Sequence, residues 1–213
     1  MHTEDTRMAA SRTGAYGADE DLVDYILGIT FEIWEEGRIE LIDQYYSAAT
    51  VVYGLDSIVH GAAAMQDGTR AVLAAFPDRL LLGDDVITSG DGHRGYSSHR
   101  VLSPATNTGE SMFGPATGKA GRFMNMADCV VEEGVITQEW LARDNLSMVR
   151  QLDFNVHDSA AIMAGRHTPE LKDWFGAETE RLNSKDRAAG AVVPQSAEDS
   201  QAFAGQLLDA LWI

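Results

Sequence analysis

The stretch from Val130 to Asp144 constrains the fold most. Two runs rich in β-forming residues flank Glu133-Gly134, a pair with one residue that tolerates positive φ, so the stretch reads as a two-residue hairpin. With Glu132 opposite Val135, a regular ladder pairs Val131 with Ile136, Cys129 with Gln138, Ala127 with Trp140, Asn125 with Ala142 and Phe123 with Asp144 on one face of the pleat. That face is mostly apolar and ends in a carboxylate. The other face carries Met124, Met126, Asp128, Thr137, Glu139, Leu141 and Arg143, a mixture suited to an outer surface or a subunit contact. On this register Asp144 is poorly hydrated, and desolvation raises a carboxyl pKa into the range where it can give or take a proton near neutral pH. Asp is also a good N-cap and Asn145 to Leu152 reads as a short helix, so capping stands beside chemistry as a role for Asp144. A one-residue bulge would exchange the faces and bring Met124, Met126 and Asp128 inside, which makes Asp128 the reserve carboxylate.

What precedes the hairpin is helical, then extended. Leu22, Ile26, Ile29 and Ile33, with Tyr25 and Trp34 beside them, form one helical stripe that stops near Gly37, and Arg38 to Tyr46 continues as a second short helix. Thr50 to Tyr53 and Ser57 to His60 read as short strands. Ala62 to Phe76 reads as a helix closed by Pro77, and Arg79 to Thr88, Arg94 to Leu102, Gly121 to Val131 and Val135 to Ala142 read as long strands. Helices followed by an antiparallel meander give an α+β fold in which helices cover one face of a curved sheet, with a cavity between the layers. Such a cavity suits a small apolar ligand held by a few polar contacts.

Charge narrows the partners. With 33 acidic against 16 basic residues and a net charge of -17, the chain is ill suited to nucleic acid or to an anionic membrane surface, because both depend on clustered Lys and Arg. No run of ~20 apolar residues could span a bilayer, and the first residues lack a signal-peptide pattern, so a cytoplasmic location is expected. Cys129 is the single cysteine, and the histidines lack metal-ligand spacing, so neither a disulfide nor a metal site is expected. Gly114 to Lys119 lacks the full spacing of a phosphate loop and leads into a strand.

Several short motifs fall in a recognisable order. They are Trp34 in the first helix, Ile42-Asp43-Gln44-Tyr45-Tyr46, Ala75-Phe76-Pro77-Asp78, Asp85-Val86-Ile87, Asn107-Thr108-Gly109-Glu110, Thr117-Gly118-Lys119, Glu133-Gly134-Val135-Ile136, Glu139-Trp140, Asp144 and Gln151-Leu152. From about Leu22 to Leu152 the chain thus resembles the SnoaL-like polyketide cyclases of the wider NTF2-like and ketosteroid-isomerase-like superfamily. The resemblance implies an NTF2-like cone with its curved antiparallel sheet wrapped over N-terminal helices. It also implies an intramolecular aldol closure that uses no metal or organic cofactor, with one aspartate after the Trp as the acid/base residue. By position that residue is Asp144. Asn107 stands where many relatives carry a histidine, and an amide cannot shuttle a proton, so His99, earlier on the same strand, becomes the other catalytic candidate. Asn125 and Gln138 are candidates to hold a substrate oxygen, and Trp140 and Phe123 to wall the pocket. Members of this superfold also serve as non-catalytic ligand-binding or oligomerisation modules, and as isomerases, dehydratases or epoxide hydrolases, so those readings stay open beside a cyclase.

The expected organisation is a disordered segment 1–17, the SnoaL-like domain 18–152 and a helical extension 153–213. In the extension, Val156 to Arg166 reads as a helix, Thr168-Pro169-Glu170 opens another, and a polar linker from Asn183 leads to a last helix with Phe203, Leu207, Leu208 and Leu211 on one side. These apolar stripes could cover the cavity mouth, lie along the sheet or reach a partner. Relatives dimerise through their sheets, so a homodimer is expected, with Met124, Met126 and Leu141 facing outward.

Overall fold

A computed structural model describes residues 22–90 and 93–184. The expectations for segment 1–17 and for the last helix lie outside the described residues.

The first apolar stripe forms α1 (Leu22–Thr30), which runs on through a π-helical turn, Phe31–Glu35. The chain then bends at Gly37, a single 3-10 turn follows, and α2 (Ile42–Tyr45) leads directly into β1 (Tyr46–Gly54). Glu32 holds this bend together: it accepts a hydrogen bond from the Tyr45 hydroxyl at 2.6 Å and pairs with Arg38 at 2.8 Å. After β2 (Ile58–His60) comes α3 (Gly61–Ala75), and then β3 (Leu82–Gly90), β4 (Arg94–Thr106), β5 (Ala120–Glu132) and β6 (Val135–Arg143). The chain continues with α4 (Asn145–Gln151), α5 (Val156–Gly165) and α6 (Pro169–Asn183).

All six strands join one sheet in the order β2-β1-β6-β5-β4-β3. Its pairs are antiparallel except β1 with β6, so the expected antiparallel sheet is mixed at that one place. The exception follows from the connection: β1 returns to the sheet beside the last strand, and everything between them is the long crossover that a parallel pair requires. Alternate residues of β4, β5 and β6 face α1 and α3, and the main core joins Tyr25, Ile26, Ile29, Ile33 and Ile42 to Cys129, Val131 and Ile136. A second core gathers Phe76, Ala105, Phe123 and Leu152 at the other end of the sheet. Phe123, expected on the inner face, is there.

The hairpin turn forms at the expected residues. Glu133 (φ 48) and Gly134 (φ 78) both have positive φ, the conformation of a tight two-residue turn matched to strand twist. Glu132 pairs with Val135 and Val131 with Ile136, as a regular ladder requires. The ladder then breaks. Val130 pairs with Gln138, which leaves Thr137 as an extra residue, and beyond it Cys129 faces Glu139, Ala127 faces Leu141 and Asn125 faces Arg143.

This bulge corrects the expected register. It lies in β6 alone, so Asn125, Ala127 and Cys129 keep their inward direction while every later residue of β6 changes face. Gln138, Trp140 and Ala142 turn outward, and Glu139, Leu141 and Arg143 turn in. Asp128 remains outside. The neighbouring strand is irregular at the same level: β1 shifts register between Tyr46 and Val51, and there the Thr50 hydroxyl donates to the Ile136 carbonyl at 2.7 Å, which ties the residue just before the bulge to β1. Trp140, expected on the pocket wall, instead stacks on Tyr53 on the outer face with ring centroids 5.7 Å apart.

The chain divides into two compact units, with the second beginning at Lys172. Within the first, Asn155 caps α5 and the Thr168 hydroxyl accepts from Leu171 N, the cap expected for α6. The described part of the second unit is the remainder of α6, where Trp174 and Phe175 pack ring against ring at 5.0 Å. No described helix is long and apolar enough to cross a membrane.

Candidate active site

A cavity of about 370 Å³ lies between the helices and the sheet. Ile26 and Ile29 of α1 and Met65 and Val72 of α3 line one side, and Val52, Val101, Ala127 and Leu141 line the other. Polar groups enter this apolar space from the strands: His99 from β4, Asn125 from β5, Glu139 and Arg143 from β6, and Tyr46 from β1. Two of these, His99 and Asn125, were candidates from sequence.

Glu139 is the buried acid. Only 6% of its surface is exposed, and the Tyr46 hydroxyl donates to its Oε2 at 3.0 Å. Burial raises its pKa above the ordinary carboxyl value, against smaller lowering effects from the Tyr46 hydrogen bond and the charge of Arg143. Tyr46 is itself buried, and burial together with the nearby Glu139 charge raises its pKa well above that of a free phenol, so it remains a donor. The pair therefore keeps a carboxyl group in a fixed orientation and makes it readier to hold a proton.

His99 faces the same space from two strands away. Adjacent strands lie ~4.8 Å apart, so the width of the floor between β4 and β6 is about 10 Å. Ala127, which pairs with His99 on one side and Leu141 on the other, floors the gap with only a methyl group. His99 is buried, its Nε2 has no hydrogen-bond partner, and desolvation lowers its pKa, so the ring is neutral at pH 7. Gly83 on β3 makes room for the ring, since a Cβ there would come within 3.0 Å of His99 Nε2. Asn125 Nδ2 is likewise buried and unpartnered. Two buried polar groups without partners, both on the wall of one cavity, are suited to a ligand oxygen.

The remaining sequence candidates lie elsewhere. Asp144 is exposed at the start of α4, and its Oδ1 accepts from Ser147 N at 2.9 Å. It is the helix cap, with its side chain outside the cavity lining, because the bulge has turned its end of β6. Gln138 is exposed on the outer face beside Trp140. Asn107 is fully buried but occupied: its Nδ2 donates to the Gly109 carbonyl at 2.8 Å and its Oδ1 accepts from Thr117 N at 2.9 Å, which pins two loops together. Phe123 belongs to a second cavity of about 330 Å³, lined also by Phe76, Ala105 and Phe113. Among the described residues, no three His, Cys, Asp or Glu side chains converge as a metal site would require.

A family model for SnoaL-like polyketide cyclases matches residues 26–152, more than half of the chain. The chain belongs to the SnoaL-like polyketide cyclase family. No curated protein matches it in sequence. Among solved structures it is similar in fold to IdmH of Streptomyces antibioticus, provisionally assigned as a polyketide cyclase, with 21% identity over 62% of this chain and 97% of that one and a TM-score of 0.54. It is also similar to a SnoaL-like polyketide cyclase of Agrobacterium tumefaciens (17% identity, 62% of this chain and 98% of that one, TM-score 0.52). A third similar structure is AclR of Streptomyces galilaeus, provisionally assigned as a hydroxylase (21% identity, 62% of this chain and 98% of that one, TM-score 0.53). The family match ends at residue 152, before α5 and α6.

Sequence reasoning missed Glu139 as the inward carboxylate. No local pattern placed the bulge: β5 has adjacent apolar residues at Phe123-Met124 and Met126-Ala127 as well as at Val130 and Val131. Tyr46 was assigned to a helix end, and nothing in its neighbourhood pointed to a partner on a strand 93 residues away.

Proposed function

We propose that this SnoaL-like protein is an enzyme that moves a proton at a carbon next to a carbonyl in a small, largely apolar compound, with Glu139 as the acid/base group. The reading transfers to Glu139 the role that sequence position suggested for Asp144. It rests on one observation above all: Glu139 is a buried carboxyl with a raised pKa on the wall of an apolar cavity that also holds unpartnered groups of His99 and Asn125.

The chemistry follows from those groups. Glu139 takes the α-proton, and the electrons of the broken C–H bond pass into an enolate. Asn125 Nδ2 and the neutral His99 ring receive the enolate oxygen, a contribution of ~3 kcal/mol for a well-placed donor. In an aldol-type cyclisation the enolate carbon then attacks a second carbonyl of the same molecule. A carbon–carbon bond forms, the carbonyl π electrons move to its oxygen, and that alkoxide takes the proton back from Glu139. Tyr46 keeps the carboxyl oriented throughout. The steps are two proton transfers and one carbon–carbon bond formation, with no net change of oxidation state, and they call on no cofactor. We also propose that two copies pair through the outer sheet face, where Met124, Met126 and Trp140 remain exposed; Leu141, expected there, lines the cavity instead.

The test is solvent exchange on a simple ketone that fits the cavity. The protein is expected to accelerate deuterium uptake at the α-carbon of 2-tetralone, and Glu139→Gln to reduce that rate by ~10²- to 10⁴-fold, the usual worth of a positioned acid/base group. Exchange that is equally fast in the variant would remove Glu139 from the chemistry. Ligand binding without any exchange in either protein would leave a non-catalytic binding module.

A further inference from the structure

The two cavities share Val72, Met112, Asn125 and three arginines, Arg79, Arg143 and Arg166. This junction is basic in a chain whose net charge is -17. The arginines reach it from three separate parts of the fold: the turn before β3, the end of β6 and the residue that closes α5.

Their acidic neighbours do not neutralise them. Asp78, adjacent to Arg79, is committed to Thr106, accepting from its backbone N at 2.7 Å and from its hydroxyl at 2.6 Å. Arg79 makes one side-chain hydrogen bond, from Nε to Ser103 Oγ at 2.9 Å, and no ion pair among the described residues. The Ser103 hydroxyl donates its own hydrogen bond to the Leu80 carbonyl, so it accepts from Arg79 without bringing charge. Arg143 meets Asp56 only at 3.9 Å, the outer limit of an ion pair, and Glu139 touches it only through its field. Arg166 stands at the rim, solvent-exposed and without an ion pair among the described residues. Part of the Arg79 surface opens into the cavities, yet the group is deep enough that burial, and then the like charge of Arg143, pull its pKa down to about 10.

Three acids also line the two cavities, Asp56, Glu110 and Glu139. The only ion pair they form with these arginines among the described residues is that of Asp56 with Arg143 at 3.9 Å. The converging donors therefore leave a place for an anion, and guanidinium groups fit the two oxygens of a carboxylate. We propose that the Arg79, Arg143 and Arg166 junction binds the carboxylate of a substrate whose apolar body occupies the larger cavity, its reacting carbonyl near Glu139. The inference deepens the proposed reaction by assigning its substrate class, small apolar keto acids, and it rests on reading that cavity as the substrate site. Arg143 and Glu139 lie on the same face of β6 with Leu141 between them, so the two ends of such a molecule would be held by one strand.

The test is titration calorimetry of the full chain with 2-naphthoate and its neutral isostere 2-naphthamide. Naphthoate is expected to bind about tenfold more tightly, the worth of one charge-assisted hydrogen bond. Arg79→Gln and Arg166→Gln should each remove most of that preference and leave naphthamide binding unchanged; Arg166 is exposed, so its variant keeps the fold even where the Arg79 variant does not. Equal binding of acid and amide, no binding of either, or a preference untouched by Arg166→Gln overturns the inference. Inorganic phosphate that competes as strongly as naphthoate overturns it too, since the site would then read charge without the apolar body. Glu139→Gln separates this inference from the proposed reaction. Loss of proton exchange without any carboxylate preference sinks the substrate class alone, and a carboxylate preference with exchange unaffected sinks the reaction alone.

Discussion

Replacing Glu139 by Gln makes a stability measurement report on the site without any substrate. Gln has the shape of the acid and keeps an oxygen for the Tyr46 hydroxyl, so the packing around it should survive; what changes is the ability to ionise. In the native protein burial lifts the Glu139 pKa, while in the unfolded chain it returns to the ordinary carboxyl range near ~4.3. Between those two values the folded state holds a proton that the unfolded state has released. The stabilisation is therefore complete below the unfolded pKa and is lost as pH rises through the folded one. For a single proton the slope is at most ~1.4 kcal/mol per pH unit. Urea denaturation of both proteins from pH 4 to pH 8 isolates this term, because every other titrating group cancels in the difference. The variant should match the wild type at the acid end, gain on it with rising pH, and level off once Glu139 is ionised in both states. A difference that stays flat would mean that Arg143 and Tyr46 cancel the burial, and one that moves in favour of the wild type as pH rises that they more than offset it. Glu139 would then be one half of a structural ion pair, and its use as an acid/base group near neutral pH would fall.

Asp144→Ala should cost ~1 kcal/mol in chemical denaturation through loss of the α4 cap and leave exchange of 2-tetralone at the wild-type rate; a collapse of exchange in a folded Asp144→Ala would return the chemistry to that residue. Glu133 occupies a left-handed conformation that a side chain adopts at some expense, so Glu133→Asn, which suits that turn, should raise the unfolding free energy in urea by ~0.5–1 kcal/mol, with an unchanged or lower value refuting the turn assignment. Deleting Thr137 should give a folded protein that retains carboxylate-dependent exchange, because the excised residue is the bulge and β6 keeps its faces; on a regular ladder the same deletion would turn the β6 core residues outward, and an unfolded product would support that register instead.

Much of the architecture was legible because it follows from local rules. The α1 stripe, the stop at Pro77, the Glu133-Gly134 turn and the Thr168-Pro169 helix start each depend on neighbours in sequence, and each lies where its residues placed it. The site was less legible, because its contents depend on which way a strand faces. Asn125 could be given its inward face because β5 runs without interruption, whereas His99 could be placed on its strand but not on a face of it. Gln138, Trp140 and Asp144 could not be given theirs, since those faces depend on an interruption that sits against Thr50, a residue of a distant strand. Arg79 was assigned to a strand, yet β3 begins three residues later at Leu82, and that short stretch is what lets Arg79 reach inward. No local pattern announces a group whose direction is set by a hydrogen bond to Ser103, 24 residues away.

The consequence of the Thr137 bulge extends to the character of the whole cavity. With a regular ladder, β6 would present Gln138, Trp140 and Ala142 to the interior: a large indole filling the space, with Asp144 beyond the strand's end as the one charge on that face. With one residue displaced, the same strand presents Glu139, Leu141 and Arg143, so the indole leaves for the outer face and stacks on Tyr53. That exchange empties volume beside Ala127 and at the same time supplies an acid at one end of the space and a cation at the other. Volume and chemistry are therefore not independent features of this site. A substitution that regularised β6 by altering Thr50, such as Thr50→Val, would remove the hydroxyl that holds the Ile136 carbonyl. It would be expected to fill the cavity and abolish the acid together, and loss of one without the other would mean that the bulge is held by something besides Thr50.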